Sequence, residues 1–211
     1  MEFDMRELPL ALRYKVLSSS ITPRPIAWVT SISAAGVVNA APFSFFNCVG
    51  VEPPLVVLGL LRDLKTGQMK DTARNLHETG EFTVNLVSEQ DGPVMNETSA
   101  AAPPDVSEID YAGIATRPSR FVAPPFIATS PVSFECKVHQ ITDIGMQTVV
   151  LGEVLGAHVA DEFIIDREKL YIDTPAMKLI GRTHGAGWYV RNSDSFVMDR
   201  PAYDSERLVG K

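Results

Sequence analysis

Two alternating runs in the second half of the chain constrain its fold more than any other feature. Residues 133–142 and 147–159 alternate between apolar and polar side chains, as half-buried strands do, and Asp143-Ile144-Gly145 between them is a strong turn signal. Strands joined by so short a connection run antiparallel and pair with each other. The chain is therefore expected to build its core around an antiparallel hairpin.

Most of the other predicted elements are also strands. Residues 26–33 alternate and are rich in β-branched side chains, and a turn at 34–36 leads into a return strand that begins at Val37. Further strands are predicted at 55–61 and 81–87. Many strands, few helices and antiparallel hairpins predict a mostly β fold, a closed β-barrel with peripheral helices.

The helical signals are fewer and shorter. Residues 71–78 read as a helix, with Asp71 or Thr72 as its N-cap and Gly80 just past its end, and residues 88–98 read as a second helix. Three remaining stretches are a loop-rich segment and two ambiguous ones: 103–125, 166–171 and 176–180.

Length, charge and cysteine content limit the class of protein. A chain of 211 residues suits one globular domain, which we place at 1–190, followed by a polar C-terminal arm or tail at 191–211. The tail is either an arm that docks on a partner subunit or a frayed terminus. A net charge of −7 argues against a nucleic-acid partner, since phosphate backbones require a basic patch.

A membrane is not expected either. No run approaches the roughly 20 apolar residues that span a bilayer, and the acidic start lacks the features of a signal peptide. The two cysteines, Cys48 and Cys136, are too few for a disulfide framework, so a reducing cytoplasm is the expected location.

Several familiar catalytic patterns are missing from the sequence. The Gly-rich run 181–187 fits neither a dinucleotide fingerprint nor a P-loop, and no G-x-S-x-G elbow occurs. The four histidines are scattered and neither cysteine has a partner at zinc spacing, so no metal site is expected.

Two stretches instead suggest a site for a flat, partly anionic ligand. Residues 38–54 combine small, hydroxyl, amide and aromatic side chains, which leave a polar and sterically open face for a ring such as that of flavin mononucleotide (FMN). Lys70 directly precedes a predicted helix start and Thr72 adds a hydroxyl, which together suit a phosphate. The alternative is an ordinary capped helix with a solvated lysine.

The residues also resemble a known family, the flavin reductase-like FMN-binding split-barrel proteins, and particularly their flavoredoxin-like branch. The resemblance runs through RPIAWVTS, NAAPFSFFN, VGVEPP, KDTARN and EFTVN, and ends with LGEV, IGR and GWY. It covers most of the chain, from about Tyr14 to Tyr189. It implies a split β-barrel, a homodimer, and FMN held near the subunit interface.

Carried over position by position, the resemblance implies ten cofactor-binding residues. The flavin-contacting strands fall on Thr30 and Ser31 and on Ala41, Pro42, Phe43 and Ser44. The phosphate contacts fall on Asn47, Cys48, Lys70 and Thr72. Arg182 and Tyr189 match late positions of the family without an assigned role.

One departure from the family bears on activity. Small NAD(P)H-dependent flavin reductases carry Gly-Asp-His in the hairpin after the cysteine-bearing strand, where this chain has Gly145-Met146-Gln147. Glutamine cannot titrate as histidine does. We therefore expect an FMN-dependent oxidoreductase that takes a hydride from NADH or NADPH and passes reduced flavin or electrons to an acceptor protein or monooxygenase component. The alternatives are a non-enzymatic FMN-binding electron carrier and, third, a domain of this fold that has lost flavin.

Overall fold

The structure is a computed structural model that describes residues 1–203. Within them the α-helices are α1 Leu10–Ser20, α2 Asp71–Thr79, α3 Gly92–Glu97 and α4 Glu108–Tyr111. The strands are β1 Arg24–Pro25, β2 Ala27–Ile32, β3 Val38–Phe43, β4 Phe46–Val51, β5 Pro54–Leu61, β6 Glu81–Leu86, β7 Thr116–Arg117, β8 Phe126–Ile127, β9 Val132–Ile144, β10 Gln147–Val159, β11 Ile164–Asp166, β12 Tyr171–Ile172, β13 Ile180–Arg182 and β14 Tyr189–Arg191.

Seven strands form one antiparallel sheet in the order β3-β2-β6-β9-β10-β5-β4. Its two edge strands, β3 and β4, are consecutive in the chain and only Ser44 and Phe45 separate them. The three Cα–Cα steps from Phe43 to Phe46 span at most about 11 Å, so the sheet must curl until its edges lie side by side. The edges do not pair, which leaves an open seam. The prediction of a mostly β barrel with peripheral helices is confirmed, as is the split that the resemblance implied.

The central β9–β10 hairpin is also confirmed, but its turn lies later in the sequence than predicted. Strand β9 continues through Ile144, so the chain reverses at Gly145 and Met146 rather than at the predicted Asp143-Ile144-Gly145. The hydroxyl of Thr148 donates a hydrogen bond to the carboxylate of Asp143 at 2.5 Å. This bond ties Asp143 to the opposite strand and keeps it in the ladder.

Strand β2 is buried on both faces, because it separates two apolar clusters. Ala27 and Val29 face the barrel core with Leu58 and Val84. Trp28 faces the second cluster, beneath α3, and its indole N–H donates to the hydroxyl of Thr98 at 2.9 Å. Both sides of β2 therefore exclude water, and its hydroxyl residues need hydrogen-bond partners within the protein.

Helix α2 begins at Asp71 as the sequence suggested, but its N-cap residue is Lys70, not Asp71 or Thr72. The two predicted caps are used elsewhere: the Asp71 carboxylate accepts from Arg74 at 2.7 Å, and the Thr72 hydroxyl donates to Asn39 at 2.7 Å. At the other end Gly80 has a left-handed φ of 70°, as a glycine C-cap requires.

The predicted helix at 88–98 is shorter than expected. Ser88 donates to the carboxylate of Asp91 at 2.7 Å and accepts from the Asp91 N–H at 3.2 Å, so these residues form a turn and helix α3 starts only at Gly92. Helix α1 had no sequence prediction, because its leucines do not follow a helical stripe and Leu10, Leu12 and Leu17 remain exposed. The loop-rich segment contains the short helix α4.

The ambiguous segments contribute short strands. Ile164–Asp166 pairs with Tyr171–Ile172, and Ile180–Arg182 joins a separate three-stranded sheet. In residues 1–203 no helix has both the length and the apolarity to cross a membrane. The predicted boundary at residue 190 stays a prediction, and the last part of the predicted tail, 204–211, lies outside the described residues.

Candidate functional site

A cleft of about 330 Å³ lies at the seam of the barrel. Pro42, Phe43, Ser44 and Phe45, which connect the two edge strands, line one part of it. The rest of the lining comes from α1, the residue before β2, β5, the start of α2, α3 and the turn after it, and the region of β13 and β14; it includes Tyr14, Gly59, Lys70, Asn96, Ser99, Arg182 and Tyr189.

The charge of this cleft is opposite to that of the chain. Among residues 1–203 the lining contains Lys70 and Arg182 but no aspartate or glutamate, although the chain has 26 acidic residues and a net charge of −7. Among residues 1–203 neither cation takes part in an ion pair. Unpaired cations in a concave site attract an anionic ligand.

Lys70 combines its own charge with that of a helix end. It directly precedes the nine-residue helix α2. The backbone N–H groups in the first turn of this helix carry partial positive charge and have no partner within the helix. The sequence predicted this pairing of a lysine with a helix start, and the structure places the lysine in the cleft. A phosphate is the ligand that this arrangement suits.

The position of α2 depends on a buried polar network behind the cleft. Asn39 accepts from Thr72 at 2.7 Å and from Ser31 at 3.4 Å, and Asn75 donates to Ser31 at 3.0 Å. The Asn39 amide donates to the carboxylate of Glu108 at 2.9 Å. The network therefore joins β2, β3, α2 and α4, and holds the helix that carries Lys70 against the sheet.

This network accounts for the side chains of two predicted cofactor contacts, Ser31 and Thr72. Both are buried, hydrogen-bonded within the protein and outside the lining of the cleft. Thr30 is similar, because its hydroxyl donates to the carbonyl of Pro125 at 2.5 Å. Direct contact of these three residues with a flavin stays a prediction.

Of the other predicted contacts, the structure brings Pro42, Phe43 and Ser44 together with Lys70 in the cleft. Ala41 immediately precedes them on β3 and is half-buried. Asn47 and Cys48 lie on β4 and are exposed, outside the cleft lining. The Asn47 side chain accepts from the Cys48 N–H at 2.8 Å.

Several cleft residues were not found from the sequence. Tyr14 reaches the cleft from α1 and its ring lies 5.9 Å from that of Phe45, while Asn96 and Ser99 come from α3 and the turn after it. No local pattern marks these residues, because only the packing of both helices brings them to the seam. Arg182 and Tyr189, which matched the family without a role, also line the cleft.

Gly59, which has no side chain, forms the floor of the cleft. A Cβ at Gly59 would lie 3.0 Å from the Phe45 Cβ and 3.2 Å from the Gln147 Nε2, so any larger residue would crowd this face. Gln147 pairs with Leu61 in the sheet, two residues from Gly59, so these residues share one face. The Gln147 Nε2 is buried and has no hydrogen-bond partner among the described residues.

These observations fit a flavin nucleotide. Within the described residues the cleft has apolar surfaces from Phe43 and from Phe45, which packs closely over Gly59, and presents cations without competing carboxylates. The unpaired Gln147 amide is unusual for a buried polar group and provides a donor beside the cleft floor. In residues 1–203 no group of three or more histidine, cysteine or acidic side chains is arranged to hold a metal ion.

Comparison with known proteins agrees with the fold. Residues 18–174 match the family model described as the flavin reductase like domain. A protein of Deinococcus radiodurans, named only as uncharacterized, is 39% identical over 205 residues, which is 95% of this chain and 90% of the relative. The chain belongs to the flavin reductase-like family.

Two solved structures are similar over nearly their whole length. Nitrilotriacetate monooxygenase component B from Bacillus cereus has a TM-score of 0.87 at 33% identity, with 94% of this chain and 98% of that chain covered. The 2-nitrobenzoate 2-nitroreductase NbaA of Pseudomonas fluorescens has a TM-score of 0.86 at 32% identity, with 96% and 98% covered. A flavoredoxin of Desulfovibrio vulgaris (Miyazaki F) shares the fold, with a TM-score of 0.71 at 16% identity over 88% of this chain and 94% of that chain.

Proposed function

We propose that this protein is an FMN-binding oxidoreductase that accepts a hydride from NADH or NADPH and passes reduced flavin or electrons to a partner. The observation that carries the proposal is the seam cleft, in which the described residues of an acidic chain present two cations without an ion pair and no carboxylate. Membership of the flavin reductase-like family supports it independently.

The residues of the cleft have distinct roles in this proposal. Lys70 and the first turn of α2 hold the phosphate, which keeps one end of the cofactor fixed. Pro42 and Ser44 at the seam have little bulk, so the ring can lie against their backbone, while Phe43 covers an apolar part of it. When bound, FMN supplies hydride acceptance at its N5 atom and electron transfer.

Further donors surround the place proposed for the ring. Asn96 provides an amide from α3 and Tyr14 provides a phenol from α1, whereas the Ser99 hydroxyl already donates to the Asn96 carbonyl at 2.6 Å and can only accept. Donors aimed at a group that gains negative charge on reduction stabilise the reduced state. Contacts by Thr30, Ser31, Ala41, Asn47, Cys48 and Thr72 remain part of the proposal as sequence predictions.

A second candidate function is electron carriage without turnover of a nicotinamide donor. Gln147 favours it, because it replaces the histidine of the small reductases and its amide has no partner beside the cleft floor. An amide can orient a ligand but cannot exchange protons with it near neutral pH.

The proposal extends to assembly and location. A solved structure at 33% identity is named as a monooxygenase component, which supports transfer of electrons to a partner protein. We propose a homodimer, as the family resemblance implies. The two cysteines are free, one exposed and one buried, which agrees with the predicted reducing cytoplasm.

An anaerobic titration of the purified protein tests the proposal. The protein should bind FMN with a low dissociation constant, and NADH or NADPH should bleach the flavin absorbance in stoichiometric amounts. Bleaching by dithionite but by neither nucleotide would favour the electron carrier. Failure to bind FMN at all would overturn both candidate functions.

A further inference from the structure

Two arginines lie directly opposite each other beside the cleft. In the three-stranded sheet β1-β13-β14, Arg24 pairs in register with Arg182, and Arg182 pairs with Tyr189 on its other side. Like charges at directly opposed positions of an antiparallel pair destabilise it. In the described part of the chain no aspartate or glutamate forms an ion pair with either arginine.

Arg24 is fixed in place and cannot move away. It is only 5% exposed. Its guanidinium donates to the carbonyls of Ser18, of Ile21 at 2.8 Å and of Thr183 at 3.1 Å. The pKa of Arg24 lies below its ordinary value, first because of burial and further because of the charge of Arg182, whereas Tyr14 opposes the shift. Its bonds are all to neutral acceptors, so its charge is not compensated.

Arg182 is the free member of the pair. Its guanidinium lies over the ring of Tyr189, 4.7 Å from the centroid, and it faces the cleft. Its one side-chain hydrogen bond among the described residues is a long one, 3.4 Å to the carbonyl of Gly185. A guanidinium has five N–H donors, so most of them remain available for a ligand. An anion bound here would offset the repulsion between the two arginines.

We propose that Arg182 binds the 2′-phosphate of the electron donor, which makes NADPH, not NADH, the nucleotide that this protein uses. This inference rests on the proposed function. In Rossmann folds, sites for an unphosphorylated ribose place a carboxylate on its 2′-hydroxyl, whereas an arginine accommodates a 2′-phosphate, and the same charge pairing applies to a guanidinium in any fold. In the part of the chain that the structure describes, the cleft has the arginine and no carboxylate. The planar guanidinium, stacked on Tyr189, can bind a phosphate through two parallel hydrogen bonds.

In this arrangement Lys70 binds a second phosphate, that of FMN. It stands at the start of α2, on a different element from Arg182, and binds the phosphate of FMN. Two phosphates from two ligands thus have separate cations. The shared chemistry of both is a phosphate monoester, so the experiment must tell the two sources apart.

The first measurement uses nucleotide fragments and needs no turnover. Titration calorimetry on the FMN-loaded protein compares 2′,5′-ADP with 5′-AMP. The 2′-phosphate should tighten binding about 10- to 100-fold, the range for hydrogen bonds to charged groups. Arg182→Gln should bring the two fragments to equal affinity, and Arg182→Lys should keep part of the preference. The control is Arg167→Gln, an exposed arginine that pairs with Asp161, and it should change neither affinity.

The second measurement separates the donor from the cofactor. Arg182→Gln should lower kcat/KM for NADPH about 10- to 100-fold and leave that for NADH within about twofold. Its FMN dissociation constant should stay close to wild type. Equal fragment affinities in the wild type, or equal losses with both nucleotides, would overturn the proposal.

Two outcomes distinguish this inference from the function on which it rests. If Arg182→Gln weakens FMN as strongly as loss of Lys70 does, Arg182 holds the flavin phosphate and the inference is wrong while the proposed function stands. If the wild type binds no FMN, the proposed function fails. The fragment titration is then run on the flavin-free protein, where lack of a 2′-phosphate preference overturns the role of Arg182 as well.

Discussion

Among individual side chains, the two buried glutamates, Glu135 and Glu108, have pKa values shifted in opposite directions. Glu135 accepts hydrogen bonds from the backbone N–H groups of Arg120 and Phe121 and from His158 at 2.5 Å. Burial raises its pKa, but these donors together outweigh burial and leave the pKa below its ordinary value. Glu108 has fewer donors, and burial, the largest influence, raises its pKa.

The first prediction follows for Glu135. A carboxylate with a lowered pKa stabilises the fold above its unfolded value of 4.5, and this contribution is lost as the pH falls through the folded value. Glu135→Gln should cost about 3 kcal/mol at pH 7 by leaving buried donors unmatched. The difference in the free energy of unfolding between variant and wild type should be smaller at pH 4 than at pH 7. Urea unfolding at both pH values measures it.

The matched control for this prediction is Glu153→Gln, on the partner strand of the same hairpin. Its carboxylate lies 3.7 Å from His139 and both side chains are nearly half exposed, so solvent screens the pair and it contributes little. The loss should be under about 0.5 kcal/mol. A loss at Glu135 that is no larger than this, or that does not depend on pH, would show that the cluster is not ionised as described.

The second prediction concerns Glu108 and has the opposite sign. Because its folded pKa is raised, the folded state holds the proton more tightly, and wild-type stability decreases as the pH rises from 4.5 through the folded value. Glu108→Gln removes this titration and keeps an acceptor for Asn39 and Ala40. In urea unfolding, the free energy of unfolding of the variant should rise relative to that of wild type as the pH increases from 4 to 8. A constant difference across that range would contradict the prediction.

The third prediction is for Lys70. Lys70→Ala should weaken FMN binding by about 1.5–3 kcal/mol, the range for hydrogen bonds to charged groups. Lys65→Ala is the control, since Lys65 is exposed on the preceding turn and lies outside the cleft lining. Flavin fluorescence titration measures both dissociation constants. Equal values for Lys70→Ala and wild type would remove Lys70 from the phosphate site.

At the scale of elements, strand β10 owes its shape to two glycines. Register shifts occur between Leu151 and Gly152 and between Val154 and Gly156, where the ladder with β9 is irregular. Such bulges bend a strand and increase its twist, which helps a sheet to close. Each glycine also faces an aromatic ring: a Cβ at Gly152 would lie 2.3 Å from Phe82, and one at Gly156 would lie 2.5 Å from Phe121.

The fourth prediction compares these two glycines. Phe82 is fully buried in the barrel core, so Gly152→Ala forces a repacking that should cost about 1–3 kcal/mol. Phe121 is 49% exposed and can move aside, so Gly156→Ala should change stability by less than about 1 kcal/mol. Thermal and urea unfolding measure both variants. Equal losses at the two positions would mean that burial of the ring does not set the cost.

For the whole molecule, a short exposed apolar segment after β14 bears on assembly. Phe196, Val197 and Met198 follow one another after β14 and are each about four-fifths exposed or more. Consecutive exposed apolar side chains usually mark an interaction surface. This agrees with the predicted arm that docks on a second subunit, while the frayed terminus stays the alternative.

The fifth prediction tests that arm. If it docks on the partner of a homodimer, changing Phe196, Val197 and Met198 together to serine should weaken dimerisation tenfold or more, about 1.4 kcal/mol, because buried apolar area is lost. Analytical ultracentrifugation over a range of concentrations measures the dimer dissociation constant. A dimer that is unaffected by the triple change would mean that the terminus is frayed.

Local patterns were enough for much of the fold and part of the site. Alternation and turn residues specified the β9–β10 and β2–β3 hairpins, because strand periodicity and turn chemistry act between neighbours in the chain. The pairing of Lys70 with a helix start is equally local, as is the open character of Pro42, Phe43 and Ser44. These features could be predicted before the fold was known.

The tertiary structure decided which side chains meet. Arg24 contacts Thr183 across 159 residues of sequence and opposes Arg182, and Tyr14 reaches the cleft from a helix without a helical stripe. The hydroxyls of Ser31 and Thr72, which were predicted to contact a flavin, also donate hydrogen bonds within the protein, and only the fold shows these partners. The physical reason is the curl of the sheet. Because only two residues join its edge strands, the sheet curls and brings residues that are distant in the sequence together at the seam. Local sequence patterns cannot predict such contacts.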